Sequence, residues 1–290
     1  MRHFQAAQVV NCQNSLGETP RWHSGEQALY WIDIRATTIN RLNPSSGSKQ
    51  IWKLPDLCGG LVIARDGLVV AMRRHLARFN PHDGSLVSLV DVEPAALDNR
   101  LNEMRCDPQG RIWVGSMRDF GTATTGSVYR VDSDLTVHPV LRDICVPNCF
   151  AWSPDGRVMY LSDSPEYSVR AYDFDGDTGT LGAMRILHDD RSTPGRPDGG
   201  TVDTEGNLWV ARPRGSCLAR ITPEGVVDQI IHVPATHPTA CVFAGPDLRT
   251  LYITTARQRL TEAELAPQPM AGDLFAIELD VGGLPEPSFG

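Results

Sequence analysis

One structural unit returns six times along the chain, and this repeat limits the possible folds more than any other feature of the sequence. Each unit contains an apolar strand, a turn rich in Gly or Asp, a second apolar strand, a variable loop and a third strand. The turns recur at intervals of about 40 to 50 residues, a period typical of β-propeller blades. They are marked by Gly25, Gly67, Gly110, Gly156, Gly206 and Asp247.

The strand that follows each turn is dominated by Val, Ile, Leu, Tyr and Trp, which favour β-structure. The six segments read ALYWID, LVVAMR, RIWVGSM, VMYLSD, NLWVARP and TLYITTA. The nearest candidate for a helix, residues 260–265 (LTEAEL), is too short to change the fold class. The sequence therefore predicts an all-β protein, a six-bladed β-propeller in which residues 1–290 form a single domain.

A ring of blades has to close without leaving an exposed strand edge. The last unit ends with residues 273–279, and the apolar segment FQAAQVV precedes the first unit. We therefore predict that residues 4–10 supply the outer strand of the last blade. Four tryptophans recur at equivalent blade positions, which predicts a place in the core: Trp22, Trp113, Trp152 and Trp209.

Charge and cysteine content exclude several classes of protein. The net charge is -8 and no run of basic residues occurs, which disfavours a nucleic-acid partner. No stretch approaches about 18 apolar residues and no signal cleavage site is present, so we expect a cytoplasmic protein without a membrane partner. The seven cysteines include no CxxC pair, which predicts reduced, buried thiols, with a redox pair of Cys145 and Cys149 as the alternative.

Polar residues cluster at one end of the predicted propeller. Residues just before an inner strand and just after a second strand share its top face, and four polar segments occupy such places: 16–22, 99–103, 146–148 and 196–200. Glu18, Asn148 and Asp198 would converge there as oxygen ligands. Two carboxylates and an amide suit a hard divalent cation with open positions for water and substrate.

The tripeptide PDG occurs twice, in two different contexts. Pro154-Asp155-Gly156 lies inside a blade between two strands and reads as a hairpin turn. Pro197-Asp198-Gly199 precedes an inner strand whose own turn is supplied by Glu205-Gly206. Only the second tripeptide is therefore in a position for chemistry.

The motifs LGETPRW, RLNEMRCDPQGRIWVGSM, VPN followed by SPDG, and RPDGGTVDTEGNLWVA resemble the gluconolactonase and regucalcin (senescence marker protein) family of metal-dependent sugar lactonases. The resemblance implies that Glu18, Asn148 and Asp198 bind one divalent metal and that Arg100 and Asn102 contact substrate. It also implies that Asp198 is the general base. The family's usual LGEGP reads LGETP here, with the ligand position kept.

Glu103 occupies a place where relatives often carry Asp, which suggests contact with the water shell of the metal. The resemblance implies hydrolysis of an aldonolactone to the aldonic acid, with the lactone carbonyl polarised by the metal and water activated by Asp198. The ligand set accepts Ca²⁺, Zn²⁺, Mn²⁺, Mg²⁺ or Fe²⁺. A calcium-binding regulatory propeller without turnover and a protein-interaction propeller are the alternatives, and the oligomeric state is left open.

Several arginines follow second strands and should lie toward the top rim, where a solvated side chain is the simplest interpretation. They include Arg73, Arg118 and Arg212. Because guanidinium groups match phosphate and sulfonate, these arginines suggest a further hypothesis, that the lactone carries an anionic group.

Overall fold

The structure of the chain, a computed structural model, describes residues 1–95 and 98–290, without the side chain of Asp190. These residues form 25 strands arranged in six sheets. Each sheet is one blade, and its strands follow the sequence from the inner edge outward, except that an N-terminal strand forms the outer edge of two blades. The predicted six-bladed β-propeller is confirmed.

The first two strands, which belong to the last two blades, are β1 (Arg2–Gln5) and β2 (Ala7–Val10). Blade one contains β3 (Gly17–His23), β4 (Ala28–Asp33), β5 (Thr38–Leu42) and β6 (Lys49–Lys53). Blade two contains β7 (Cys58–Ala64), β8 (Gly67–Met72), β9 (His75–Phe79) and β10 (Leu86–Asp91). Blade three contains β11 (Asn99–Cys106), β12 (Ile112–Arg118), β13 (Gly126–Val131) and β14 (Val137–Ile144).

Blade four contains β15 (Pro147–Trp152), β16 (Val158–Asp163), β17 (Ser168–Asp175) and β18 (Thr180–Asp189). Blade five contains β19 (Gly200–Val202), β20 (Leu208–Arg212), β21 (Cys217–Ile221) and β22 (Val227–His232). Blade six contains β23 (Pro238–Ala244), β24 (Thr250–Thr255) and β25 (Leu274–Glu278). A helix of four residues, α1 (Glu262–Leu265), lies in the loop between the last two strands and begins with a capping box at Thr261.

The innermost strands surround the central axis, and each contacts the innermost strand of the next blade. Contacts of β23 with β3 complete the circle. All six strands begin at the same end of the ring and turn at the other, so residues far apart in sequence meet around one channel.

The N-terminal segment closes the ring in two steps. Ala7–Val10 pairs antiparallel with β25 as the outer strand of blade six, as predicted for this part of the segment. Residues 4 and 5 differ from the prediction, because Arg2–Gln5 pairs in parallel with β22 and becomes a fifth strand of blade five. The crossover lies at the buried Ala6, and β1 thereby covers an edge that would otherwise be exposed.

The hydrophobic core is divided among the interfaces between blades. Each of the six interfaces holds its own cluster of buried aliphatic and aromatic side chains. The four tryptophans predicted to be core residues are buried. Between blades five and six, for example, the rings of Trp209 and Phe243 meet edge to face with centroids 6.3 Å apart.

Aspartates at the bottom of the ring fix the first turns of two blades. The fully buried carboxylate of Asp107 accepts hydrogen bonds from the backbone N–H groups of Gln109 and Arg111, both at 3.0 Å. It also accepts the indole N–H of Trp113 at 3.0 Å. Asp203 repeats this arrangement in blade five, so the turn and the core tryptophan of the blade are held by one side chain.

The remaining predictions from composition concern thiols and membranes. The seven cysteines are present as thiols and six of them are buried, as predicted. Within residues 1–95 and 98–290, no helix has the length and apolar character needed to cross a bilayer.

Candidate active site

A cavity of about 250 Å³ opens at the end of the ring where the inner strands begin. Five predicted site residues from four blades line it: Glu18, Arg100, Asn102, Asn148 and Asp198. Glu103 is buried and is not among the lining residues. The cavity lies just below the small end of the range of about 300 to 1,000 Å³ for small-molecule sites, so it suits a single sugar ring.

Irregular pairing turns the site residues inward. The register of β3 against β4 shifts after Glu18, and the register of β15 against β16 shifts after Asn148. The residue that follows each of them, Thr19 or Cys149, has a left-handed backbone with φ of 49° or 62°. A β-bulge bends its strand and redirects side chains, which explains how two residues inside strands can face the channel.

A chain of hydrogen bonds orders one wall of the cavity. Asp119 accepts from Arg100 Nε at 3.0 Å, and Arg100 Nη1 donates to Asn102 Oδ1 at 2.8 Å. Asn102 Nδ2 donates to Asn148 Oδ1 at 2.9 Å, and Asn148 Nδ2 donates to Ser164 Oγ at 2.9 Å. Each amide has its oxygen and nitrogen assigned by its neighbours, so the carbonyl of Asn148 has a fixed direction.

The three carboxyl groups near the channel axis repel one another. Burial, followed by the charges of Asp198 and Glu103, holds the pKa of Glu18 well above its usual range. Burial and then Glu103 raise the pKa of Asp198 to about 8. Burial also raises the pKa of Glu103 to about 7, opposed by Arg21 and Arg105. Strongly perturbed carboxyls grouped in a cleft are typical of functional sites.

Beneath the cavity an ion cluster fills the channel. Arg105 forms a salt bridge with Glu286 from the C-terminal segment, and Arg21 Nε lies 3.8 Å from the same carboxylate. Arg105 also donates to the carbonyl of Gly200 at 2.7 Å. Glu103 lies above the two arginines, so two carboxyl groups face two guanidinium groups, and the floor of the site is neutral overall when Glu103 is ionised. No spacing pattern in the sequence joins Glu286 to these residues.

An aspartate at the end of β4 positions the strand that carries Glu18. The carboxylate of Asp33 accepts the backbone N–H groups of Ser15 at 2.7 Å and Leu16 at 3.0 Å. These are the last residues of the loop that leads into β3. The carboxylate therefore fixes the chain just before the residue that faces the cavity.

Blade four repeats this arrangement for Asn148. At the end of β16, Asp163 accepts the backbone N–H groups of Cys145 and Val146, both at 2.8 Å. The two aspartates end the segments ALYWID and VMYLSD of the repeat. The Asp that ends both segments is a sequence signal that could have predicted this positioning role.

In blade five an arginine takes the place of the aspartate, which corrects the interpretation of Arg212 as a substrate contact. Arg212 ends β20, is fully buried and donates to the carbonyls of Thr193, Pro194 and Gly195 at 3.2, 2.9 and 3.1 Å. These carbonyls lie in the loop before Asp198. Arg212 thus positions the loop through its carbonyls, whereas the aspartates of blades one and four use N–H groups.

Two other predicted substrate contacts also lie outside the cavity wall. Arg73 Nε pairs with Asp56 at 3.0 Å, and the half-exposed Arg118 has Asp98 at 3.8 Å. The arginines that line the cavity besides Arg100 are Arg196, Arg214 and Arg259. His237, which sequence reasoning left without a role, lines it as well. They come from loops, where the strand repeat carries no positional information.

The donor set of the cavity is compatible with a cation. Within the part of the chain that the structure describes, the carboxylate of Glu18 accepts a single, long hydrogen bond of 3.3 Å from the N–H of Thr19. A carbonyl oxygen has two lone pairs, so Asn148 Oδ1 keeps one beyond its bond to Asn102. In the part of the chain that the structure describes, no three His, Cys, Asp or Glu side chains are grouped as a metal site. The candidate ligands are instead two carboxylates and one amide.

Comparison with known proteins gives a consistent result. Residues 16–257 match the model of the SMP-30/gluconolactonase/LRE-like region. The chain is 36% identical over 283 residues to the 6-deoxy-6-sulfogluconolactonase of Pseudomonas putida, with 97% of each chain covered. It is 33% identical over 288 residues to the L-arabinolactonase of Azospirillum brasilense, covering 97% of this chain and 94% of the other.

Among solved structures, the chain is similar to a calcium-binding protein, regucalcin, from Agrobacterium tumefaciens. The TM-score is 0.96 at 27% sequence identity, with 100% of this chain and 99% of the other covered.

Thr19 provides a test of local strain beside the site. Its φ of 49° is unfavourable for a β-branched residue, and its buried hydroxyl lacks a hydrogen-bond partner within the described residues. Thr19→Gly should raise the free energy of unfolding by about 1 kcal/mol, because glycine accepts this backbone without strain. Thermal denaturation in chelator should show a midpoint about 2 °C higher. Thr19→Ala, which keeps a Cβ, should gain less, and a lower midpoint for the glycine variant would contradict the argument.

Proposed function

This chain belongs to the SMP-30/gluconolactonase/LRE-like family, and we propose that it is a metal-dependent lactonase that hydrolyses an aldonolactone to the aldonic acid. The observation that carries the proposal is the convergence of Glu18, Asn148 and Asp198 on one cavity sized for a sugar ring. Relatives named as lactonases over nearly the whole chain support the reaction class.

We propose that these three residues hold the metal. The raised pKa values of Glu18 and Asp198 support this, since burial is the largest cause for both and neighbouring carboxyls add to it, while Arg100 and Arg196 offset the rise only in part. A divalent cation removes such repulsion, and oxygen ligands suit a hard ion such as Ca²⁺, Mg²⁺ or Mn²⁺, while Zn²⁺ and Fe²⁺ are also compatible. When bound, the ion supplies Lewis-acid chemistry at the cavity.

The residues around the ligands have separate tasks. Asp198 accepts the proton of the attacking water, which requires the ionised carboxylate that metal binding favours. Arg100 presents the N–H groups of Nη2 to the oxygens of the sugar, from a wall that is already ordered. Both N–H groups of the Asn102 amide are used by Pro147 and Asn148, so Asn102 offers a lone pair of Oδ1 to a sugar hydroxyl. The ion cluster below closes the channel behind the substrate.

Lactone hydrolysis, followed by proton release in a pH-stat, tests this proposal. Asp198→Asn should lower kcat/KM by at least about a hundredfold, because a general base is worth about 10² to 10⁴ in rate. EDTA should abolish turnover, and one or more of the five cations should restore it. The matched control is Asp155→Asn, which alters the exposed aspartate of the other PDG tripeptide and should leave hydrolysis unchanged.

Full activity of Asp198→Asn would refute the proposed base. Metal binding by a folded wild-type protein that hydrolyses no lactone would instead favour the alternative function, a calcium-binding regulatory propeller.

Metal uptake should release protons in a pH-dependent way. At pH 7 the metal-free Asp198 is largely protonated, because its pKa is about 8, and Glu18 is raised as well. Ligands must lose these protons, so the apparent metal affinity should rise with pH up to about 8 and then level off. Calorimetry in two buffers of different protonation enthalpy should detect the release at pH 6 and 7 and much less at pH 9.

The same pKa shift has an opposite consequence for the metal-free protein. A carboxyl whose pKa is raised on folding stabilises the fold at pH values below the pKa that it has in the unfolded chain. This contribution is lost as the pH rises through the pKa of the folded state. The contribution of Asp198 should therefore disappear between about pH 4 and pH 8. A metal-free protein that gains stability across this range, with no proton release on metal binding, would contradict the assignment of the ligands.

Asp163, which holds the backbone just before Asn148, should control metal affinity without touching the metal. Asp163→Ala leaves two backbone N–H groups unpaired and frees the start of β15. Loss of a residue that positions a metal ligand through hydrogen bonds typically weakens metal binding by about 10- to 100-fold. Asp107→Ala is the matched control, since it removes an equally buried aspartate from the opposite end of the ring. Calcium titration should show weaker binding only for the first variant, and equal affinities would exclude a positioning role.

A further inference from the structure

Three of the arginines that line the cavity form a rim on one side of its mouth. Arg196 precedes Asp198, Arg214 lies in the turn after β20, and Arg259 lies in the loop after β24. Blades five and six therefore contribute all three. Arg214 and Arg259 are exposed, whereas Arg196 is half-buried.

These rim arginines lack the counter-ions that other arginines of the site possess. Within the described residues, no carboxylate lies within 4.0 Å of any of the three guanidinium groups. By contrast, Arg100 pairs with Asp119 at 3.0 Å, and Arg35 pairs with the same aspartate at 2.8 Å. Glu264 feels the charge of Arg214 without forming a salt bridge with it, and its Oε2 already accepts the N–H and hydroxyl of Thr261 at 2.8 and 2.9 Å.

The charges of the lining residues therefore do not balance. The carboxylates of Glu18 and Asp198 are neutralised by one divalent cation, and Arg100 is paired. What remains is the positive charge of the rim, although the whole protein carries a net charge of -8. A concentrated positive site on an acidic protein attracts a specific anion rather than polyanions in general.

His237 shows that the rim charges act within the cavity. Burial, and then the nearby Arg214 and Arg259, lower the pKa of this imidazole. His237 is therefore neutral at pH 7 and can donate or accept one hydrogen bond from its ring. Its Nδ1–H donates to the carbonyl of Gln258 at 3.2 Å, which leaves Nε2 to accept a hydrogen bond from a ligand hydroxyl.

The backbone that carries the rim is held in place before any ligand arrives. The N–H of Arg214 donates to Thr236 at 2.8 Å, and the N–H of Arg196 donates to Pro213 at 3.3 Å. The buried Arg212 secures the preceding loop through its carbonyl contacts. Such preorganisation lowers the ordering cost of binding.

We propose that the substrate is a monosaccharide lactone with a negatively charged group, a sulfonate or phosphate, on the carbon remote from the lactone carbonyl. The rim arginines bind this group at the mouth, while the carbonyl lies deeper in the cavity, near Glu18, Asn148 and Asp198. Planar guanidinium groups match both tetrahedral anions with paired hydrogen bonds. The inference rests on the proposed lactonase function and specifies its substrate class.

The test compares glucono-1,5-lactone with its 6-phosphate and with 6-deoxy-6-sulfogluconolactone, after correction for spontaneous hydrolysis. The wild type should favour the charged lactones in kcat/KM by at least about tenfold. In the double variant Arg214→Gln/Arg259→Gln this preference should fall at least about tenfold. Arg249→Gln, which alters an exposed arginine at the opposite end of the ring, is the matched control and should keep the preference. The two charged lactones separate a preference for sulfonate from one for phosphate.

Binding measurements separate this inference from the lactonase proposal. In calorimetry, gluconate 6-phosphate should bind the wild type at least about tenfold more tightly than gluconate, and the double variant should lose that difference. If this holds while no lactone is hydrolysed, the proposed reaction is wrong and the anion site stands. If both acids bind alike, or if the double variant weakens both equally, the anion site is refuted whatever the activity.

Discussion

Closure of the ring is the constraint on which the rest of the structure depends. The strand Ala7–Val10 joins β25 across most of the length of the sequence, and the buried carboxylate of Asp273 holds the following residues through the N–H groups of Cys12 and Gln13, both at 2.9 Å. Only a closed ring directs six inner strands at one axis. For this reason the side chains of blades one, three, four and five meet there, although each blade is a separate stretch of the sequence.

Polar groups at the ends of second strands convert that architecture into a site. Asp33 and Asp163 hold backbone N–H groups, and Arg212 holds carbonyls, in each case a few residues before a candidate ligand. Bulges then turn Glu18 and Asn148 toward the channel. The ligands are thus positioned by the backbone of their own blades, which is rigid because each blade is packed on both faces.

Charge is arranged in layers along the axis. An ion cluster fills the channel, two carboxyl groups with raised pKa values lie above it, and arginines without a carboxylate partner among the described residues occupy one side of the mouth. A cation at the middle layer and an anion at the rim would each satisfy a local excess of the opposite sign. This complementarity links the proposed reaction to the proposed substrate class, since a lactone with a remote anion presents both features.

The strand repeat alone determined the all-β class, the number of blades and the end of the ring at which polar residues gather, because alternating turns and apolar strands are local properties. It also predicted the end of the ring at which five cavity residues lie, because their position within the repeat determines that end: Glu18, Asn148, Asp198, Arg100 and Asn102. The tertiary structure decided the rest. In the folded protein Arg212 is buried beneath a loop and does not lie on the rim. Glu103 and Glu286 belong to one ion cluster. Three arginines from different loops line the mouth of the cavity together: Arg196, Arg214 and Arg259. Those residues lie on loops and a terminal segment, whose side-chain directions depend on packing against other blades and not on the period of the chain.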